Sequence, residues 1–263
     1  MTSGKPTHLR KYRTRKKGRA SLSPPLLFVG DLHGNLAFVQ SLQKLYPSHV
    51  KIFLGDILDS RVFSRTEELG CLELVLDMIE HGEARACFGN HEWSYLEPTM
   101  RCSGYDPEFD VQLNPFKDRM RRLFETFFWL PKYKILVTHA GLTWAFWEEF
   151  GLSISTLPIR LKEWAQLPIS SSPTGRVGIA RGGDDRTGGT FWCDWYREFQ
   201  PVPGIVQIFG HTSGLSIQEQ VLPGSQGIRR RGSNYNIDCL ARMWEVLELN
   251  DKGVLRTVTV PQP

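Results

Sequence analysis

The chain has 263 residues, 41% of them hydrophobic, so it can bury a substantial core and is no disordered polymer. No apolar run approaches the ~20 residues of a membrane helix, and the basic N-terminus lacks the apolar stretch of a secretory signal, so no membrane association is expected. The net charge of +4 misleads: Lys5, Arg10, Lys11, Arg13, Arg15, Lys16, Lys17 and Arg19 meet no acid within residues 1–20, and the 24 basic and 28 acidic residues left without those eight give −4.

Residues 1–25 are therefore expected to be a basic, disordered tail. It is either simply solvated or in contact with nucleic acid or another polyanion. A mitochondrial targeting role lacks the necessary apolar face. Ser23-Pro24-Pro25 marks the boundary of a folded domain over 26–263. Five cysteines (Cys71, Cys87, Cys102, Cys193, Cys239) are scattered and form no C-x-x-C, which fits reduced thiols and a cytoplasmic location.

The run Leu26-Leu27-Phe28-Val29 predicts a strand that ends at Asp31, followed by the turn Gly30-Asp31-Leu32-His33-Gly34-Asn35. An Asp-x-His pair offers a carboxylate and an imidazole to a transition metal, although alone it reads equally well as a hydrogen-bonded turn. Leu36, Val39, Leu42 and Leu45 predict a helix that stops before Pro47. Val50 to Leu54 is a second strand, running into Gly55-Asp56-Ile57-Leu58-Asp59-Ser60-Arg61. A second helix opens with a capping box of Ser64 and Glu67, buries Leu69, Leu72, Val75, Leu76 and Ile79, and stops at Gly82. Ala84 to Phe88 is a third strand, ending in Gly89-Asn90-His91-Glu92.

Residues 93–130 read as an insertion over the site, with a helix from Pro115 to Phe128. Their aromatics suit core or lid packing better than base stacking. Tyr133 to Val137 forms a strand that delivers Thr138-His139-Ala140-Gly141, and a helix runs through Trp144 to Phe150. A second insertion spans 151–190, where Ser, Gly and Arg over 170–189 predict a mobile loop. Ile205 to Phe209 ends in Gly210-His211-Thr212. Alternation at Tyr235 and Ile237, at Trp244 and Val246, and over Thr257–Val260 predicts consecutive antiparallel strands closing the second side of a sheet layer. Four of the seven histidines (His33, His91, His139, His211) thus follow short apolar strands, beside Asp31, Asp56 and Asn90.

The series G-D-L-H-G-N, G-D-I-L-D, G-N-H-E, T-H-A-G and G-H-T, in this order over residues 30–212, resembles the calcineurin-like metallophosphoesterases, most closely their phosphoprotein-phosphatase branch with its bacterial and phage members. The resemblance implies an α/β fold: a central two-sheet β-sandwich flanked by helices, with helical and loop insertions over the site. It implies two divalent ions, manganese foremost, with iron or zinc as alternatives. Asp31 and His33 would hold the first, Asp56 would bridge, and Asn90, His139 and His211 would hold the second. His91, oriented by Asp59, would be the general acid. A hydroxide between ions ~3.5–4 Å apart would attack phosphorus in line.

Arg61 and Arg186 are the candidate phosphate-binding arginines. Arg61 departs from the best-known family form, because Ser60 stands where arginine directly follows the second aspartate. Arg181 is a further candidate, and Asp194 and Arg197 fall in a stretch without a secure family counterpart. Ser213 replaces the second histidine of a G-H-x-H form, which favours the phosphoprotein-type subgroup over a nuclease. The expected activity is that of a phosphomonoesterase resembling a protein Ser/Thr phosphatase, acting on a phosphoprotein or nucleotide. A dinucleoside polyphosphate hydrolase and a nucleic-acid end phosphatase are the alternatives. A non-catalytic binding module would have lost one of these residues, and none is lost.

Overall fold

In the computed structural model, residues 24–214 and 226–262 are described, so the expected tail at 1–25 lies almost wholly outside the described residues. Short, largely apolar segments form β1 (Leu26–Val29), β2 (Val50–Phe53) and β3 (Ala84–Cys87), joined by α1 (Leu36–Leu45) and α2 (Arg65–Glu80) and followed by α3 (Asn90–Leu96). The three strands pair in parallel, with Leu26 opposite Val50 and Lys51 opposite Ala84. All three therefore release their C-terminal loops at one edge, the arrangement that β–loop–α repeats impose.

Side chains alternate across these strands. Leu27, Val29, Phe53 and Ala86 face a core built with α1 and α2, whereas Phe28, Ile52, Leu54 and Cys87 face a second sheet. That sheet contains β5 (Phe128–Leu130), β6 (Ile135–Val137), β7 (Val206–Phe209), β8 (Arg229–Arg231) and β9 (Asn234–Asn236), in the order β5-β6-β7-β9-β8. Phe128, Ile135, Val137 and Ile208 supply its half of the apolar layer between the sheets. The first sheet is completed by β4 (Phe124–Glu125), β10 (Glu245–Leu249) and β11 (Leu255–Thr259), in the order β11-β10-β1-β2-β3-β4. Outside the second sheet, α5 (Trp144–Glu149) and α6 (Leu157–Trp164) bury Phe146, Leu157 and Leu161 against Leu136. The result is the expected two-sheet sandwich between helical layers.

Three expectations shift. The insertion helix is α4 (Pro107–Leu123), beginning eight residues before Pro115: the Asp106 side chain accepts the Glu108 N–H at 2.9 Å and Pro107 occupies the first turn. Pro115 lies inside the helix, tolerated because it and Val111, whose carbonyl loses its donor, are both exposed. Residues 124–130 leave the insertion altogether, contributing β4 to one sheet and β5 to the other. The C-terminal strands do not close one layer. β8 and β9 form a hairpin in the second sheet, where β9 runs parallel to β7, and the β10–β11 hairpin crosses to pair β10 antiparallel with β1.

Within 170–189 the chain makes short 3-10 turns at Pro173–Gly175 and Ile179–Arg181 and buries Ser172, Thr174 and Thr187. Among the described residues no helix is long and apolar enough to cross a membrane.

The capping box on α2 is present: the Ser64 N–H donates to Glu67 Oε2 at 2.8 Å, and the Glu67 N–H to Ser64 Oγ at 3.3 Å. Ser64→Ala is expected to lower stability by about 1 kcal/mol, read as a shift of the urea unfolding midpoint with unchanged slope.

Candidate metal centre

Five loops carry the candidate residues, and each leaves the C-terminal end of a strand: β1 (Asp31, His33), β2 (Asp56, Asp59), β3 (Asn90, His91), β6 (His139) and β7 (His211). The turns there are sharp. His33, Asp56, Asp59 and His211 all have positive φ, at +43°, +50°, +64° and +68°. Asp and His enter this region more readily than β-branched residues, at a cost of order 1 kcal/mol each. Glycine permits the close packing around them: a Cβ on Gly89 would sit 2.1 Å from Asp56 Oδ1, and one on Gly210 would sit 2.0 Å from Asp31 Oδ1.

The loops are tied by Glu92. Its Oε2 accepts the amides of Asp56 (2.9 Å) and Gly89 (2.8 Å), and its Oε1 accepts those of Ile57 (2.8 Å) and Leu58 (3.2 Å). One buried carboxylate thereby fixes the Asp56 loop to the Asn90–His91 turn. The His91 amide in turn donates to Asp56 Oδ1 at 3.0 Å. Both Asp31 oxygens lie 3.0 Å from the His211 amide.

Around Asp56 the donor atoms converge. His139 Nε2 lies 3.3 Å from Asp56 Oδ2, 2.9 Å from Asn90 Oδ1 and 3.1 Å from His211 Nδ1. Asn90 Oδ1 and His211 Nδ1 are 2.8 Å apart. The Nδ1 of His139 donates to Leu54 O at 2.9 Å, which places the neutral ring's proton there and leaves Nε2 a bare lone pair. With His139 Nε2 and His211 Nδ1 unprotonated, three lone-pair donors and a carboxylate face one point. Ligand bonds of about 2.1 Å at right angles would separate such atoms by about 3.0 Å, which matches this spacing.

On the other side, His33 Nδ1 donates to Leu58 O at 2.8 Å, so its Nε2 is free to face Asp56. His33, Asp56 and His91 form one group with metal-ligand spacing, and Asp56, His139 and His211 form another, with Asp56 common to both.

The electrostatics point the same way. Burial raises the carboxyl of Asp31 well above its ordinary value, and the neighbouring Asp238 raises it further. Burial raises Asp238 too. Burial would lower His139, but Asp56 outweighs it and brings His139 to about 9. A proton and a cation thus compete for one electronegative point. Burial, then Arg181, holds His211 well below its usual value, keeping it a neutral ligand. The buried Nε2 of His211 has no hydrogen-bond partner among the described residues. Excess buried carboxylate, bare imidazole nitrogens and this spacing all suit divalent cations.

His91 sits beside the cluster, its Nε2 3.8 Å from Asp56 Oδ2 and its Nδ1 2.7 Å from Asp59 Oδ2. Burial opposes protonation of His91, yet the Asp56 charge and the Asp59 hydrogen bond raise its pKa well above the usual value. Asp59 is held from behind: Tyr95 Oη donates to Oδ1 at 2.5 Å, and Glu68 Oε2 accepts the Asp59 amide at 2.8 Å.

Arg61 and Arg186 are exposed and make no hydrogen bond or ion pair among the described residues. Arg181 instead donates to Thr212 Oγ1 at 2.7 Å and lies 3.1 Å from Asp194 Oδ2.

Sequence reasoning missed the tie made by Glu92, the support given by Tyr95 and Glu68, and the proximity of Asp238. A glutamate just after Asn90-His91 was the one available signal. The others depend on which loops meet.

A family model described as calcineurin-like phosphoesterase matches residues 24–214. No curated protein matches the sequence. Among solved structures, a protein serine/threonine phosphatase from Saccharomyces cerevisiae with similarity to human phosphatase PP5 superposes with a TM-score of 0.54 at 12% identity, over 92% of this chain and 82% of that one. A metallophosphoesterase from Sphaerobacter thermophilus gives 0.42 at 13% identity, over 90% and 89% of the two chains. A hypothetical protein from Pyrococcus horikoshii gives 0.42 at 10%, over 91% and 88%.

Glu92→Gln turns an acceptor of four N–H groups into one that must present its own N–H₂ to two of them. Urea unfolding should register a loss of about 3 kcal/mol or more. Calorimetric titration with Mn²⁺ should show affinity weakened roughly 10–100-fold, the effect of loosening a ligand's support.

Proposed function

This chain belongs to the calcineurin-like phosphoesterase family, and from that premise we propose that it is a metal-dependent phosphomonoesterase of the protein Ser/Thr phosphatase type. The observation that carries the reading is Asp56, common to two ligand groups and flanked by His91 with its own carboxylate partner. In this proposal Asp31 and His33 hold one divalent cation, Asn90, His139 and His211 a second, and Asp56 bridges them. Nitrogen and oxygen donors without thiolate suit manganese, with iron or zinc as alternatives. Such a pair, when bound, supplies Lewis acidity toward the phosphoester oxygens and lowers the pKa of an attacking water toward ~7.

The chain's own residues provide the rest. Leu54 O and Leu58 O orient His139 and His33 so that each presents Nε2 inward. His91 keeps its Nε2 toward the cluster because Nδ1 is occupied by Asp59. A protonated His91 hands that Nε2 proton to the departing alkoxide, which otherwise leaves poorly. Asp59 stabilises the charged ring, and Tyr95 keeps Asp59 from rotating. Arg61 and Arg186, exposed and unpaired among the described residues, are available to grip phosphate oxygens bidentately. Arg181 is tethered to Thr212 and Asp194 and adds positive potential beside His211.

For the substrate, a phosphoprotein is favoured by the closeness of the motif series to the phosphoprotein branch and by the fold shared with the yeast phosphatase. The alternatives are a dinucleoside polyphosphate and a 3′-phosphorylated nucleic acid, the latter suited to the basic residues within 1–20. Five unpaired cysteines fit work in a reducing compartment, here taken as the cytoplasm.

A panel of phosphoserine peptide, diadenosine tetraphosphate and 3′-phosphorylated oligonucleotide, assayed in EDTA and again after manganese is restored, should give hydrolysis of the peptide only with metal. Inertness toward all three after manganese loading overturns the reading. Asp56→Asn should lose bound manganese and activity together, read by metal analysis and turnover. His91→Asn should keep its metal while kcat on the phosphoserine peptide falls about 10²–10⁴-fold. The fall should be smaller on p-nitrophenyl phosphate, whose leaving group needs no proton, and an undiminished kcat on both would remove His91 from the mechanism.

A further inference from the structure

The segment joining the 3-10 turn Pro98–Met100 to α4 folds back over the Asp59–His91 pair. It is pinned at both ends: the Cys102 amide donates to Ser94 Oγ at 3.1 Å, and the Asp106 amide donates to Tyr95 Oη at 3.3 Å. Between them Gly104, at φ +100°, packs so close that a Cβ there would stand 3.1 Å from Asp59 Cβ. This brings Cys102 Sγ to 3.6 Å from His91 Nδ1, the ring nitrogen turned away from the Asp56 cluster. Sγ, Nδ1 and an Asp59 oxygen all lie within 4.8 Å of one another, contributed by three separate loops. Cys102 and His91 are half-buried, and only Asp59 is fully enclosed. The other four cysteines are buried.

The spacing can be compared with ion coordination. Zinc bonds of about 2.3 Å to sulfur and about 2.05 Å to imidazole, at tetrahedral angles, put the two atoms about 3.6 Å apart. The cysteine and histidine already stand at that separation. Nitrogen and carboxylate oxygen would need about 3.3 Å, so the 2.7 Å Asp59–His91 hydrogen bond must open by roughly 0.6 Å. A thiolate beside an imidazole selects a soft ion, whereas manganese prefers the nitrogen and oxygen donors around Asp56.

We infer that Asp59, His91 and Cys102 form a second, inhibitory site for Zn²⁺, which takes His91 by Nδ1, the ring nitrogen facing away from Asp56. Binding releases two protons to solvent, one from the Cys102 thiol and one from Nδ1 of the charged His91 ring as zinc takes that nitrogen, and leaves the Nε2 proton in place. Water completes the tetrahedron. His91 then retains a neutral imidazole N–H, a far weaker acid than imidazolium, and loses the Asp59 contact that aims its ring. Inhibition thus rests on His91 being the proton donor proposed above; the binding of zinc does not.

Two readouts separate these layers. With the manganese-loaded enzyme, excess Co²⁺ as a coloured substitute for Zn²⁺ should produce thiolate-to-cobalt charge-transfer absorption in the near ultraviolet. The band should be absent from Cys102→Ser and from protein alkylated at Cys102, the one cysteine not buried. Added Zn²⁺ should lower kcat on the phosphoserine peptide with KM unchanged. In Cys102→Ser, and in Cys102→Ala should the serine variant fold poorly, the zinc concentration for half inhibition should rise. Measured against each variant's own zinc-free rate, the rise should exceed the roughly 10–100-fold that loss of an outer-shell partner brings. Absence of the thiolate band in the unaltered protein, or equal zinc sensitivity with and without the Cys102 sulfur, overturns the proposal. A protein inert with manganese would sink the phosphatase reading alone, since the cobalt band still decides whether the site exists.

Discussion

The cluster around Asp56 depends on one buried carboxylate, that of Glu92. Glu92 is fully buried, and a charge so placed is costly unless its lone pairs are filled. Four backbone amides fill them, drawn from the loop after β2 and the turn after β3. Those bonds hold Asp56 at φ +50°, a conformation the chain would otherwise leave, and set its carboxylate against the His91 amide. The Asp56 loop and the Asn90–His91 turn become one piece.

The rest of the site is organised by an imbalance of charge. Asp31, Asp56 and Asp238 are buried close together, and burial weighs against every one of them being ionised. Elsewhere in the protein buried carboxylates find cationic side chains, as Glu248 does with Arg256. Around Asp56 the available partners are imidazoles whose Nδ1 protons are committed to backbone carbonyls. A scaffold that pulls acids inward and then faces them with bare nitrogens is built for a cation from solution. His91 differs because its Nδ1 meets the Asp59 carboxylate in place of a backbone carbonyl.

The sandwich explains why residues 180 positions apart can meet, as Asp31 and His211 do. The parallel pairing of β1, β2 and β3, and of β6 with β7, sends five loops to one edge of both sheets. Strand ends of that kind were legible as short apolar runs followed by glycine and a metal-type side chain. The insertion was harder to read. Pro107 and Pro115 are both plausible helix starts by composition, and Asp106 decides between them through a capping bond. The fate of Phe124–Leu130 turned on which sheet edge stood free, and no periodicity encodes that.

By itself, the sequence determined the kind of chemistry and its order along the chain, because a side chain next to a strand end is placed by covalent geometry and local alternation. The two-sheet sandwich followed from the resemblance of the motif series to a known family, whereas period-two alternation alone put the C-terminal strands in one layer and the structure divides them between two. Only the tertiary structure decided who stands behind the candidate site residues: Glu92 under Asp56, Tyr95 and Glu68 behind Asp59, Cys102 against the far side of His91. Those contacts join loops whose separation is set by sheet order and by packing of the whole core, and such long-range geometry leaves no mark on the spacing of neighbouring residues.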